Sequence, residues 1–246
     1  MATEIAKVDK NTSLAAAPSF MEKGDRRGLE TISKEDMLIP RLSLAQMLSP
    51  ECTEGDPKAI PGCKAGDFFN SVTKQLYGPG PLFLQIIRKD NPRAMQYKPL
   101  DQGGGVLDPN VPLTDDRLKW GENGEKPVAT LFRDYLAVIH PSRELIALSF
   151  KSSGIKVAKQ LNGLITLRNK PIFAGRYEVT SKTELKPKPH KVYIIQNADW
   201  IGGEGTGTTE ADYLFGAELW EALKDVDVKI DRDAHTPEAA GDDVPF

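Results

Sequence analysis

Only two cysteines occur in the 246 residues, Cys52 and Cys63, and that scarcity removes several classes of protein at once. Two thiols are too few for a disulfide framework. Neither stands in a C-x-x-C pair or beside a histidine at zinc-ligand spacing. Both read as incidental thiols of a reducing cytoplasm. The three histidines, His140, His190 and His235, are scattered, each beside a proline or in a loop, so no metal site is expected. No stretch approaches the ~18 consecutive apolar residues of a membrane span. The first residues, M-A-T-E-I-A-K-V-D-K, lack the apolar run of a secretory signal. H-x-x-x-H, G-x-S-x-G and G-x-x-x-x-G-K-[ST] are all missing. The glycines of I-G-G-E-G-T-G-T-T suggest a phosphate cradle, but Glu204 lies inside and no Lys-Thr follows. Gly103-Gly104-Gly105 reads as a loop tip. The expectation is a protein that is not an enzyme, with no catalytic residues, no cofactor and no metal.

What is present is a soluble globular composition, 39% hydrophobic and 27% charged, on a chain long enough to bury a real core. The net charge of −3 hides a strong polarity. From Val128 to Ile195 twelve Lys/Arg stand against four Asp/Glu, a local charge of +8. From Asp199 to Phe246 three Lys/Arg stand against thirteen Asp/Glu, a local charge of −10. A basic middle suits a polyanion, and an acidic end suits some other partner.

Patterning divides the chain into four parts. Residues 1–28 are Ala/Ser/Lys-rich and read as a disordered arm. Residues 29–198 read as the folded core. Ser33 with Asp36 is a weak capping pair, Pro40 disfavours helix at Ile39, and Leu42 to Leu48 reads as an extended or helical apolar segment. G-D-F-F-N-S-V-T-K-Q-L-Y-G reads as two short strands about a turn, and L-F-L-Q-I-I-R-K as one clear strand. Residues 90–127, rich in Pro, Gly, Asp and Asn, read as one long loop. V-A-T-L-F-R-D-Y-L-A-V-I-H and E-L-I-A-L-S-F-K flank Pro-Ser-Arg as a strand–turn–strand unit. There Phe132, Leu136 and Val138 share one face, with Arg133 and Tyr135 on the other. A helix from Ser152 carries the stripe Val157, Ala158, Leu161, Leu164 and Ile165. Two further strands, I-F-A-G-R-Y-E-V-T-S-K and H-K-V-Y-I-I-Q-N, flank the basic loop L-K-P-K-P. Residues 199–224 read as a linker and docking helix, with Leu214, Ala217 and Leu219 to Leu223 on its apolar side. Residues 225–246 read as an acidic disordered tail. The expected class is α+β, mainly antiparallel β, with an oligonucleotide-binding-like or related small barrel or sheet core, one internal helix and one C-terminal helix.

Binding of single-stranded nucleic acid needs cations for phosphates and aromatic faces for unstacked bases, each stack being worth roughly 1–3 kcal/mol. The basic block interleaves the two. Candidate DNA contacts are Arg133, Tyr135, Lys151, Lys156, Lys159, Arg176, Lys182, Lys191 and Tyr193. Taken singly, Tyr135 and Tyr193 read equally well as core residues with wet hydroxyls. Trp120, in the polar loop L-K-W-G-E-N-G, either stacks on a base or plugs the core.

The chain ends G-D-D-V-P-F. Asp242, Asp243, Val244, Pro245 and Phe246 form a compact handle: an apolar pocket takes the ring, and Arg/Lys take the carboxylates. This ending resembles the acidic tip of bacterial single-stranded DNA-binding proteins. The phrases D-M-L-I-P-R-L-S-L, A-G-D-F-F-N-S-V-T-K-Q-L-Y-G and A-L-S-F-K-S-S-G resemble segments of phage-encoded single-stranded DNA-binding proteins. The resemblance implies sequence-independent coating of exposed strands in phage replication, recombination or repair. It also implies recruitment of partner enzymes through the tip, in the host cytoplasm, with no membrane and with a homodimer allowed. Two neighbouring readings are a strand-annealing recombination protein and a cofactor that recruits a phage RNA polymerase to melted promoters.

Overall fold

A computed structural model describes residues 38–99, 102–185 and 189–226, with the backbone of 229–230. Its centre is the long strand β8 (Ala129–His140). Apolar residues on both of its faces predict a strand covered on both sides, and it is. The hairpin around Pro141–Arg143 pairs β8 with β9 (Glu144–Lys151), setting Phe132 opposite Lys151 and Ile139 opposite Glu144. Its other edge carries two strands end to end, β5 (Leu82–Lys89) and β6 (Arg93–Tyr97). They follow one line, broken where Pro92 supplies no N–H. β10 (Gly175–Glu184) pairs with β5, β11 (His190–Trp200) with β10, and β7 (Val106–Asp108) with β6. All pairings of this seven-stranded sheet are antiparallel. A second sheet joins β2 (Leu42–Leu44), β3 (Phe68–Asn70) and β4 (Leu76–Gly78). The architecture is therefore α+β and mainly antiparallel, and the sheets do not close into a barrel.

One face of the large sheet holds the main core. Leu84, Ile86, Tyr135, Ala137, Ile146, Leu148, Tyr177 and Val179 meet Ala158 and Leu161 of helix α1 (Gly154–Arg168) there. The predicted stripe of α1 is observed: Val157, Leu164 and Ile165 pack beside the two buried residues. Each fully buried aliphatic side chain contributes roughly 1.5–3 kcal/mol. The small sheet joins this face through Glu144, whose Oε1 accepts from Asn70 Nδ2 and from the Tyr77 hydroxyl, both at 2.7 Å. Burial, and then that hydrogen bond to Glu144, push the Tyr77 phenol up.

The opposite face is covered by α2 (Glu210–Leu223), which starts on a capping box between Thr209 and Asp212. Tyr213, Phe215, Ala217, Leu219 and Trp220 pack on Ile87, Val138 and Phe173. Leu223 joins Ile39, Leu136 and Ala147. Leu214, expected on the docked side, is 52% exposed, because positions 213, 217 and 220 set the stripe. Arg88 Nη1 donates to the carbonyls of Leu223 and Val226, satisfying the helix end. Beneath the helix lies a polar knot. The amide of Gln85 donates to Phe173 O at 2.8 Å, and its Oε1 accepts from His140 Nε2 at 3.1 Å. Arg143 Nε donates to Asp212 Oδ1 at 2.8 Å. Gly216 leaves room for this knot, since a Cβ there would run into the Gln85 amide.

Two expectations change, and one is narrowed. The stretch 90–127 contains β6, β7 and a 3-10 turn at Asp116–Leu118, so it is not one loop. Leu42–Leu44 is a strand that turns away at Ala45. Regular structure continues past residue 224, because β12 (Lys229–Ile230) pairs in parallel with β1 (Leu38–Ile39). The capping pair Ser33–Asp36 and the arm 1–28 lie outside the described residues. No described helix is long and apolar enough to cross a membrane.

Candidate nucleic-acid interface

The short strand β2 is fastened to both edges of the large sheet. On one side Ala147 N donates to Pro40 O at 2.8 Å, and Arg41 bridges to Ala147 of β9. On the other side the Gln46 carboxamide pairs with the backbone of Lys191 in β11, accepting from its N–H at 2.8 Å and donating to its carbonyl at 3.0 Å. The Tyr193 hydroxyl adds a bond to Leu42 O at 2.8 Å. Between these fastenings lies a cleft of about 230 Å³, and Ser153 and Gly154 at the start of α1 form its lip. Arg41, Lys151 and Lys191 supply its cations; the half-buried Tyr193 and the buried Phe69 and Phe132 supply its aromatic lining.

The cleft holds three cations and one carboxylate, that of Glu51, which lies 4.0 Å from Lys74. Other cations of the fold have carboxylates: Arg88 has Asp90, Arg93 has Asp134, and Arg117 has Asp108 and Asp115. Arg41, Lys151 and Lys191 form no ion pair among the described residues. Lys151 is exposed, yet desolvation by its surroundings, then the charges of Arg41 and Arg93, hold it below the usual lysine value. Burial pushes the Tyr193 phenol up, against the pull of Arg41. Phe132 is sandwiched by cations, with Arg93 Cζ 4.2 Å and Lys151 Nζ 5.9 Å from its ring centre. Three cations against the single carboxylate of Glu51 leave the cleft net positive, and low-dielectric walls focus that field on an incoming anion.

From the cleft, α1 leads away with Lys156 and Lys159 exposed on its first turns. Its 15 residues span roughly 22 Å. At its far end stands a second cationic–aromatic group. Arg168 lies 4.4 Å from the ring centre of Trp200, and Arg176 lies 3.6 Å from that of Phe83. Trp200 is 40% exposed.

The structure therefore sorts the residues singled out by sequence. Lys151, Lys191 and Tyr193 meet in the cleft, and Lys156 and Lys159 flank it. Lys182 is exposed in the same hairpin, 3.5 Å from Glu184. Arg176 sits at the other end of its strand and donates to Ala198 O at 3.1 Å. Arg133 shares the face of Tyr135 and is half-buried. Tyr135 itself is a correction. Its ring is wholly buried against Phe150, with its hydroxyl 3.1 Å from Ala158 O and 2.9 Å from Asn162 Oδ1, so it offers no face to a base. Burial comes first among the causes that push its phenol up to about 12. Trp120 is 66% exposed, which removes the core-plug reading, and it does not line the cleft. Asp242 to Phe246 lie outside the described residues.

Arg41, Phe132 and Trp200 are not among the DNA contacts expected from the sequence. The alternation in P-R-L-S-L is the signal for Arg41: with Leu42 and Leu44 inward, Arg41 and Ser43 take the other face. For Phe132 it is the hairpin register, since counting outward from Pro141–Arg143 sets Lys151 opposite it.

Residues 9–229 match the family model described as Pam3 phage gp34-like protein. No curated protein matches the chain, and no solved structure does.

Proposed function

We propose that this chain, which belongs to the Pam3 phage gp34-like protein family, is a non-enzymatic, sequence-independent single-stranded DNA-binding protein of the host cytoplasm. In this reading it coats exposed strands during phage DNA replication, recombination or repair. The observation that carries the reading is the cleft, where three unpaired cations converge between aromatic walls and continue into Lys156 and Lys159. Phosphates pair with the cations. Splayed bases find the half-buried ring of Tyr193 at the cleft and the exposed ring of Trp200 beyond α1, a combination that tolerates any sequence because it reads no base edge. Duplex DNA keeps its bases stacked and gains only the phosphate contacts. The terminal Asp242, Asp243, Val244, Pro245 and Phe246 serve as the handle for partner enzymes, on the strength of their likeness to single-stranded DNA-binding protein tips.

The test is a fluorescence titration with poly-dT and with duplex of matched length at two salt concentrations. Tighter binding to poly-dT, weakening steeply with salt, is the expected result. Equal affinity for duplex, or affinity indifferent to salt, overturns the reading.

A further inference from the structure

The two thiols that composition leaves unremarked lie against each other. Cys52 closes the 3-10 turn Pro50–Cys52, and Cys63 follows the turn at Pro61-Gly62. Both are free thiols, and their sulfurs are 3.3 Å apart. Several fixed contacts hold them there. Cys52 N donates to Ser49 O at 2.9 Å, Ile60 N to Glu51 O at 2.9 Å, and Cys63 N to Ile60 O at 3.0 Å. Ala45, Ile60, Cys63 and Phe69 form an apolar cluster, with Cys52 and Leu76 packed on it. From this position the sulfurs need approach by only about 1.3 Å to reach disulfide length, ~2.05 Å. The two differ in access: Cys52 is half-buried and Cys63 is buried. Burial, followed by the hydrogen bond with Cys52, pushes the Cys63 thiol up to about 12. Cys52 is therefore the sulfur that meets a reagent first.

We propose that Cys52 and Cys63 are a redox-active dithiol, which small-molecule disulfides of the glutathione class convert to an intramolecular disulfide. The Cys52 thiolate attacks one sulfur of oxidised glutathione. The glutathione S–S bond breaks, one glutathione leaves as a thiolate and takes up a proton, and Cys52 carries a mixed disulfide. Cys63 gives up its proton as it attacks the Cys52 sulfur, and the second glutathione departs as a thiol. Two protein thiols are oxidised and one glutathione disulfide is reduced to two thiols. The new bond closes the loop from Thr53 to Gly62. It braces the segment that brings Ser49, Glu51 and Phe69 to the cleft wall.

The experiment takes the full-length reduced protein, exposes it to oxidised glutathione near pH 8, and follows intact mass and a peptide map. The parent loses two hydrogens, and its Cys52 and Cys63 peptides appear joined. Folded Cys63→Ala stops at the mixed disulfide and gains one glutathionyl group. Folded Cys52→Ala stays unmodified. The oxidised parent melts several degrees higher, because closing a loop of this size constrains the unfolded chain and a change of about 1 kcal/mol moves the melting temperature by roughly 2–4 °C. A folded parent that keeps both thiols, stops at the mixed disulfide, or melts lower once oxidised overturns the proposal. These outcomes are read without DNA, so they stand apart from the fate of the DNA-binding reading.

Discussion

Replacing Arg41, Lys151 and Lys191 together by glutamine takes three positive charges out of the cleft and leaves side chains long enough to fill much of the same space. None of the three has a carboxylate partner to strand among the described residues, so each change should cost the fold no more than ~0.5 kcal/mol. Binding should respond far more strongly. If these three and Lys156 and Lys159 each neutralise one phosphate, five contacts at about −0.7 apiece give a log–log salt slope near −3.5. A rise from about 50 to 200 mM salt is ~0.6 log unit, so the parent loses affinity roughly 100-fold across it. The triple variant keeps two contacts, a slope near −1.4 and a loss of only about 7-fold. Anisotropy of a labelled dT oligomer at several salt concentrations reads the slope directly, and a thermal melt confirms that the variant is folded. A folded triple variant with the parental slope refutes the placement of phosphates in this cleft.

Three further outcomes are expected. Gly216→Ala drives a methyl into the Gln85 amide and should destabilise the protein by roughly 1–3 kcal/mol in chemical denaturation, with α2 loosened first; a loss under ~0.5 kcal/mol contradicts the packing. The α2 junction should weaken in acid. Burial holds His140 below its usual value, so its contribution is complete above pH ~6.5 and declines as pH falls below that. Burial alone would raise Asp212, but hydrogen bonds from Thr209 and Arg143 outweigh it and leave it lowered, so its contribution is present above pH ~3.9 and is lost as pH falls through the folded value. Denaturation midpoints from pH 7 to 5 should fall in the parent and flatten in His140→Gln. Deleting residues 231–246, beyond the β1–β12 pairing, removes five acids and one arginine and should tighten poly-dT binding at low salt, because a tethered acidic segment competes for the cations. Phe246→Ala should leave that affinity unchanged and abolish partner capture; weaker binding by the truncated chain means that the segment supports the DNA surface instead.

Long strands rich in apolar and β-branched residues are legible in the amino-acid order alone. L-F-L-Q-I-I-R-K forms β5, and the hairpin about Pro141–Arg143 forms β8 and β9. β6 and β7 are hidden because Pro, Gly and Asn dominate residues 90–127, and short strands that complete a neighbour's edge need little propensity of their own. Alternation separates the two faces of β8 correctly, but it says which residues share a side and not which side is wet. Tyr135 is therefore open to two readings, and α1 decides between them by covering it. Cationic clustering is legible as a block charge. Its focus at one cleft is not, because Arg41 comes from a strand about 150 residues from Lys191. The thiol contact is equally out of reach, since it depends on how the loop between them folds.

Gln46 has a consequence that reaches beyond the cleft. Its planar amide offers one donor and one acceptor at the spacing of a peptide unit, and Lys191 receives both as it would from a neighbouring strand. A single side chain thus impersonates one rung of a ladder on the outermost strand. An unpaired border of N–H and C=O groups invites another chain to zip alongside. Filling one rung with an amide that cannot continue the ladder closes that stretch of border without adding a strand. Glutamate would fail in this place, because it has no hydrogen to give the Lys191 carbonyl and would set negative charge against it. Glutamine at position 46 therefore occupies one rung of the border of β11, at Lys191, the residue that also lines the cleft.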